Sequence, residues 1–209
     1  MSETCYYKDC TNPPENDEHI PAQCFYPENK GVLHVCSCKL HNNDKDLDEY
    51  VKNIISLLPG NNSRGCEKAN GKTFRSLDRN SRLQVETFGQ ELVLNDGNSA
   101  FMVDFEKVRS WLVHLTYGLF KHDFKKNHLG DWYIIDDTFV PIAEPGKMDC
   151  LEIEMRLFVR NLNMQFRDIS EEQTFKYSYL IDVNGRIIYK FCFFENATFY
   201  AYSRMTDFG

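Results

Sequence analysis

Cysteine and histidine residues occur at metal-ligand spacing in the first quarter of the chain. Cys5 and Cys10 are separated by four residues, and Cys38 and His41 are separated by two. A structural zinc ion takes four nitrogen or sulfur ligands in a closed, tetrahedral site. The sequence therefore predicts that these four residues bind one zinc ion. Two alternatives stay open, because Cys36 competes with Cys38 and because the cysteines are also compatible with free, buried thiols.

A second group of polar residues lies in the same stretch and offers different chemistry. Glu18 and His19 lie between the two pairs of predicted zinc ligands, and Asn42 directly follows the last of them. Carboxylate and amide oxygens hold hard cations such as Mg²⁺, and a neutral imidazole accepts a proton near pH 7. Glu18, His19 and Asn42 therefore form a candidate site for a divalent cation and an activated water.

The elements around these residues are predicted to be two strands followed by a helix. Residues 18–25 and 31–35 suit the two strands of a hairpin. Asp44 or Asp46 can cap the helix, and Pro59-Gly60 ends it. The helix itself is predicted from an apolar stripe at helical spacing: Leu47, Tyr50, Val51, Ile54, Leu57 and Leu58.

These motifs resemble, in type and in order, the HNH (His-Asn-His) endonucleases, which are the ββα-metal nucleases. The resemblance covers about the first quarter of the chain and implies a zinc-stapled ββα-metal module that hydrolyses phosphodiester bonds in nucleic acid. Residues 31–35 depart from the pattern, because they lack the middle-motif asparagine of many HNH enzymes. The matching runs are Glu18-His19-Ile20-Pro21, Cys38-Lys39-Leu40-His41-Asn42 and Asp48-Glu49-Tyr50.

The resemblance also implies a role for individual residues. His19 is expected to act as the general base that deprotonates water, and Asn42 and Glu18 are expected to bind a catalytic Mg²⁺ or Mn²⁺. Lys45 is a candidate phosphate contact, and it is equally compatible with a solvated lysine at a helix start. The remaining histidines of the chain carry no motif and are interpreted as structural or surface residues: His34, His114, His122 and His128.

Cations are concentrated in residues 61–82. Within this segment only Glu67 and Asp78 oppose them, although the whole chain has a formal net charge of −7. Gly65 and Gly71 weaken a helix here, so part of the segment is compatible with a loop. The two interpretations are a phosphate-contacting stripe and a solvated surface. On a helix, one face would carry all six cations, Arg64, Lys68, Lys72, Arg75, Arg79 and Arg82.

The rest of the chain predicts an α+β fold. Residues 84–94 suggest a hairpin, Asp104 suggests the cap of a long helix, and Asn184-Gly185 suggests a tight turn between two strands. Residues 151–162 fit a strand and a helix equally well. The predicted organisation is a ββα-metal zinc module at 1–60, a basic segment and hairpin at 61–103, and an α+β accessory domain at 104–209 with a long helix and an antiparallel sheet.

Composition limits the classes of protein and of partner. The chain has 209 residues, is 42% hydrophobic and contains no long apolar run, so we expect a packed core and no membrane partner. The N-terminal residues lack an apolar signal region, which predicts a cytoplasmic protein. The acidic net charge argues against nucleic-acid binding by the surface as a whole, but it is compatible with one basic groove.

The sequence therefore favours a metal-dependent endonuclease with a structural zinc ion and with DNA, rather than RNA, as its substrate. The alternative is a non-catalytic zinc module that binds nucleic acid or a protein partner. A third interpretation is the nuclease effector of a defence or restriction system. The accessory domain carries no catalytic motif, and it is compatible with binding a protein partner or a second copy of the chain.

Overall fold

The computed structural model describes residues 4–26, 33–42, 45–89, 91–93, 99–139, 150–168 and 173–203. Helices and antiparallel sheets alternate along these ranges without parallel crossovers, so the fold is α+β, as predicted. Every helix within these ranges is too short or too polar to cross a membrane.

The N-terminal module is a two-stranded antiparallel sheet followed by a helix, in the predicted order. The first strand ends at Ile20, earlier than predicted, because Pro21 lacks the N–H group that would continue the ladder. Asp44, one of the two predicted caps of the helix, lies outside the described residues. The elements are β1 (Asn16–Ile20), a 3₁₀ turn (Gln23–Phe25), β2 (Leu33–Ser37), a second 3₁₀ turn (Lys39–His41) and α1 (Lys45–Ser56).

The middle of the chain is more helical than predicted. Asn62 and Asn80 cap two of its helices, since their side-chain oxygens accept hydrogen bonds from the N–H groups of Gly65 and Leu83, both at 3.1 Å. The hairpin predicted at residues 84–94 is wrong in position, because the Asn80 cap starts a helix that extends through residue 88. The elements are α2 (Ser63–Lys68), a π-helical turn (Ala69–Thr73), α3 (Phe74–Arg79), α4 (Ser81–Phe88), β3 (Glu91–Val93) and β4 (Ser99–Phe101).

Helix α5 (Phe105–Phe124) is the long helix that the sequence predicts. Its cap is also as predicted, because the Asp104 carboxylate accepts a hydrogen bond from the N–H of Lys107 at 3.4 Å. Gly118 allows the helix to pack closely on β1, since a Cβ atom at this residue would lie 2.0 Å from Cδ1 of Ile20. The helix ends at Phe124, and the next residue, Lys125, caps it in a left-handed conformation with φ 56°.

The C-terminal part is a five-stranded antiparallel sheet with the strand order β5-β9-β8-β7-β6. The predicted turn at Asn184-Gly185 connects β7 to β8, and Gly185 has the positive φ of 78° that such turns require. Residues 151–160, whose class the sequence leaves open, are helical. The elements are β5 (Trp132–Asp136), α6 (Cys150–Arg160), β6 (Arg167–Asp168), β7 (Phe175–Ile181), β8 (Ile187–Phe193) and β9 (Ala197–Ser203).

One hydrophobic core joins the N-terminal module to α5 and to the C-terminal sheet. The ring of Phe25 lies 5.3 Å from that of Trp111 and 5.1 Å from that of Phe193, between ring centroids. All three side chains are buried. The division into segments 1–60, 61–103 and 104–209 stays a prediction, but the shared core means that changes in α5 reach the N-terminal module.

Candidate metal centre and active site

Four side chains converge at the end of β2 and form a group that we call the Cys–His cluster: Cys5, Cys10, Cys38 and His41. Their ligand atoms all lie within 4.8 Å of one another. These are the four residues predicted from spacing, and they come from the N-terminal coil and from the turn after β2. Cys36 lies within β2, outside the cluster, so its competition with Cys38 is settled in favour of Cys38.

The separations within the Cys–His cluster fit a tetrahedral zinc ion. Zinc–sulfur bonds of about 2.3 Å place two sulfur ligands about 3.8 Å apart, and a sulfur and a nitrogen ligand about 3.5 Å apart. The Cys10 and Cys38 sulfurs are separated by 3.7 Å. Nδ1 of His41 lies 3.4 Å from the Cys5 sulfur and 3.3 Å from the Cys38 sulfur. The cluster is therefore able to bind a metal ion, and its donor set suits zinc.

Burial and hydrogen bonding shift the pKa values of the Cys–His cluster residues in different directions. Burial raises the pKa of the Cys5 thiol to about 11. Burial also opposes ionisation of Cys38, but hydrogen bonds from the His41 backbone N–H and from the neighbouring thiols lower the pKa of Cys38 below its ordinary value. Burial lowers the pKa of His41, which favours the neutral ring that a metal ligand requires.

Residues outside the Cys–His cluster hold its ligands in place. The ring of Tyr7 stacks on the ring of His41, with 4.3 Å between centroids and 19° between planes. Nδ2 of Asn127 donates a hydrogen bond of 2.7 Å to the Cys5 carbonyl oxygen, which ties the N-terminal coil to the segment after α5. Metal ligands are usually oriented by such outer partners. The sequence did not predict this role for Asn127, since its spacing carries no signal.

A small cavity of about 100 Å³ adjoins the Cys–His cluster and brings together the predicted catalytic residues. Glu18, His19 and Asn42 all line it, and His41 belongs both to the cavity wall and to the cluster. Helix α1 contributes Asp48, whose carboxylate accepts a hydrogen bond of 2.7 Å from the Trp111 indole N–H. We call this cavity the candidate active site.

The two carboxylates of the candidate active site influence each other. Burial raises the pKa of Glu18 to about 8, and the negative charge of Asp48 adds to the shift. Glu18 pairs in register with Val35 and therefore shares its inward-facing side of the hairpin. Two carboxylates near each other favour protonation of one of them or the binding of a cation.

His19 and Asn42 are held by contacts between neighbouring segments. The ring of His19 lies 4.6 Å from the ring of His34, which is its partner across the hairpin. Burial and the nearby His34 lower the pKa of His19, so its ring is neutral at neutral pH. Nδ2 of Asn42 donates a hydrogen bond of 3.4 Å to the backbone oxygen of Asp17, which places the amide beside β1.

His114 is a further residue of the candidate active site, although the sequence predicts a structural or surface role for it. It lies on α5 and lines the cavity, and its Nδ1 is 3.4 Å from the hydroxyl oxygen of Tyr6. His114 is 108 residues away from Tyr6 in sequence, so no local spacing could indicate the contact. Asp48, by contrast, belongs to the Asp48-Glu49-Tyr50 run on which the family resemblance partly rests.

Four of the predicted phosphate-contacting residues, Arg64, Lys68, Lys72 and Arg75, line one cavity of about 240 Å³, and the other predicted contacts lie outside its lining. Lys45 is exposed at the start of α1, outside the lining of the candidate active site. Lys68 is 8% exposed, and its Nζ donates a hydrogen bond of 3.0 Å to the Cys24 carbonyl oxygen. The segment is not one continuous α-helix, because a π-helical turn follows α2 and because α3 ends at Arg79, before Asn80. The cations that remain exposed are Arg64, Lys72, Arg75, Arg79 and Arg82.

Comparison with known proteins identifies no family for the chain. The chain matches no protein-family model, no curated protein and no solved structure. A functional proposal therefore rests on the geometry of the site and on the resemblance of its motifs.

Proposed function

We propose that the protein is a metal-dependent endonuclease of the HNH type, which hydrolyses phosphodiester bonds in nucleic acid and prefers DNA. One observation carries the proposal: Glu18, His19, Asn42 and Asp48 line a single cavity that adjoins the Cys–His cluster. The cavity combines a proton acceptor with oxygen donors, on the strand–strand–helix frame that the resemblance implies. Hydrolysis of a phosphodiester needs both of these functions.

His19 is the proposed general base. Its lowered pKa leaves the imidazole neutral at neutral pH, and in that state it can accept a proton from the attacking water. The ring contact with His34 restrains its orientation on β1. His19 is not a member of the Cys–His cluster, so its proposed chemistry is separate from the binding of structural zinc.

Glu18 and Asn42 are the proposed ligands of the catalytic Mg²⁺ or Mn²⁺. When bound, such an ion stabilises the negative charge that develops on the phosphorane and on the leaving oxygen. Hard cations prefer carboxylate and amide oxygens, and these residues provide one of each. Asp48 fits as a neighbouring carboxylate, because the repulsion that helps to raise the pKa of Glu18 is relieved when a cation binds.

The size of the candidate active site limits where the substrate can lie. A cavity of about 100 Å³ has room for a cation and a few water molecules, since each water takes about 30 Å³ in the liquid. A nucleotide is larger than this cavity, so the strand has to cross the mouth of the cavity.

The second candidate function is a non-catalytic zinc module. It is favoured by the Cys–His cluster, because its four residues already supply all the ligands of a structural zinc site. Such a site has no catalytic activity of its own.

A cleavage assay with matched variants tests the proposal. Plasmid DNA and a structured RNA are incubated with the protein, with and without added Mg²⁺ or Mn²⁺. We expect metal-dependent cleavage by the wild type and a loss of about 10²–10⁴-fold in His19→Ala, which is the usual contribution of general-base catalysis. Asn42→Ala should also lose cleavage, with partial rescue at high Mg²⁺ or Mn²⁺. Asn70→Ala is the control, because Asn70 is exposed on the π-helical turn and its change should leave cleavage unaltered.

Zinc content and circular dichroism of each variant separate a chemical role from a structural one. His19→Ala and Asn42→Ala should keep the zinc and the secondary structure of the wild type. Absence of cleavage by the wild type, with either metal and on both substrates, would refute the endonuclease. Loss of zinc and of structure in His19→Ala would mean that His19 supports the fold instead of acting as the base.

A further inference from the structure

The hairpin of β1 and β2 has an outer face next to the candidate active site. Its register places His19 opposite His34 and Asp17 opposite Cys36, and residues directly opposite each other in an antiparallel pair share a face. Val35, on the other face, is buried in the core. The His19–His34 ring pair is therefore where the candidate active site meets the outer face of the hairpin.

A groove of about 950 Å³ runs along this outer face, and we call it the α5 groove. The hairpin lines one side of it with Asp17, His34, Val35 and Cys36. Cys10, a member of the Cys–His cluster, also lines it, so the groove is continuous with the metal centre. The opposite side is formed by the last turn of α5 and the residues that follow: Lys121, His122, Lys125, Lys126, Asn127 and Leu129.

The lysines of the α5 groove form no salt bridges with the described carboxylates. Lys125 and Lys126 are exposed, and across the described ranges neither forms an ion pair. Nζ of Lys121 donates hydrogen bonds to two neutral oxygens, Oδ1 of Asn127 at 2.8 Å and Oγ1 of Thr4 at 3.4 Å. In an acidic chain, three lysines in one groove that form no ion pair with the described carboxylates favour an anionic ligand.

Lys125 occupies a position where lysine is conformationally unfavourable. It caps α5 in the left-handed region, with φ 56°, where a residue without a Cβ atom is normally preferred. The helix dipole favours a cation near this end, but glycine would form the turn with less strain. Two carboxylates, Asp9 and Asp17, also line the groove.

We propose that the α5 groove holds the phosphate backbone of the nucleic-acid strand that carries the scissile bond, with Lys121, Lys125 and Lys126 contacting its phosphates. The proposal rests on the proposed function, because it assigns the path by which the substrate reaches His19. It also replaces the segment 61–82 as the main phosphate contact. In that segment Lys68 is buried, and Arg64 and Arg82 form ion pairs with nearby glutamates.

The salt dependence of binding tests this path. Binding of a labelled DNA duplex is measured by fluorescence anisotropy at several salt concentrations, without chelator and with Ca²⁺ in place of Mg²⁺ to suppress cleavage. Each lost phosphate contact lowers the log–log slope by about 0.9 on duplex DNA. We therefore expect Lys125→Ala/Lys126→Ala to lower the slope by about 1.8. The matched control is Lys72→Ala/Arg79→Ala, which removes the same charge from exposed positions of the segment 61–82 and should leave the slope unchanged.

The outcomes separate this proposal from the proposed function. An unchanged slope in Lys125→Ala/Lys126→Ala, an equal decrease in the control pair, or no binding by the wild type would overturn the α5 groove as the substrate path. If the wild type cleaves DNA and the groove variant binds normally, the endonuclease stands and the groove fails. If binding depends on the groove and the wild type never cleaves, the groove stands and the endonuclease fails. Repeating the titration with RNA of the same sequence distinguishes the two sources of a phosphate backbone.

Discussion

Replacing Gly118 by alanine tests whether α5 fixes the position of the candidate active site. A Cβ atom at residue 118 would lie 2.0 Å from Cδ1 and 3.0 Å from Cγ1 of Ile20. Atoms in folded proteins do not approach this closely, so either α5 and β1 move apart or the Ile20 side chain leaves its site. Ile20 directly follows His19, so either movement also changes the position of the proposed base.

The expected magnitude comes from two opposing effects. Overpacking of a filled core costs about 1–3 kcal/mol, and a contact of 2.0 Å with a side chain that is 2% exposed belongs at the upper end. Alanine is favoured over glycine by about 1 kcal/mol inside a helix. The free energy of unfolding should therefore fall by about 2 kcal/mol. In a chain of this length, that lowers Tm by about 4–8 °C.

Urea unfolding of three variants measures the effect. Gly118→Ala should lower the transition midpoint. Gly71→Ala is the matched control, because its Cβ atom would meet only Nη2 of Arg75 at 3.8 Å, and its stability should stay equal or rise slightly. The double variant Gly118→Ala/Ile20→Val removes Cδ1 of Ile20, the atom at 2.0 Å, and should recover part of the lost stability. If Gly118→Ala is as stable as Gly71→Ala, the close packing of α5 on β1 is refuted.

Three further predictions address the metal centre and the C-terminal sheet. Cys10→Ala should lose zinc, measured by elemental analysis, and should unfold the N-terminal module, because binding of structural zinc contributes directly to folding. Asp123→Ala should lower the free energy of unfolding by about 2 kcal/mol, measured by urea unfolding, because Asp123 accepts hydrogen bonds from two tyrosine hydroxyls at 2.8 and 3.0 Å. Partial burial opposes ionisation of Asp182, but hydrogen bonds from the backbone N–H and side chain of Arg186 lower its pKa. A lowered pKa stabilises the fold above the unfolded value of about 3.9, so the stability advantage over Asp182→Asn should disappear as the pH falls below it.

The metal ligands were predictable from the sequence, whereas much of the cavity beside them was not. Spacings such as Cys38-x-x-His41 encode a local turn, so four soft ligands in two such pairs already indicate one site. His114 reaches the cavity only because α5 packs across the hairpin, and that packing depends on a glycine at residue 118. Contacts of this kind are set by tertiary structure, and a single sequence contains no spacing that reveals them.

In the basic segment, residues 61–82, the cations are regularly spaced, but the structure departs from the single helix that this spacing suggests. Steps of three and four predict a helical face but do not say whether that face is exposed. Lys68 fits the pattern and is nevertheless buried against the Cys24 carbonyl group. The π-helical turn and the cap at Asn80 then divide the segment into separate helices. The lysines at the end of α5 have no comparable period, so their spacing predicts no shared face.

The Cys–His cluster and the candidate active site share one turn of chain, which couples their chemistry. His41 is a ligand in the cluster, and Asn42 is attached to it directly. Loss of zinc should therefore displace Asn42 as well as release the cysteines, so a cysteine variant should lose the proposed cleavage activity without any cysteine touching the substrate. His19 lies on β1, outside the cluster, and its removal should leave the zinc bound. An inactive cysteine variant consequently carries no information about catalysis by zinc, whereas a His19 variant that retains zinc and loses cleavage identifies the base.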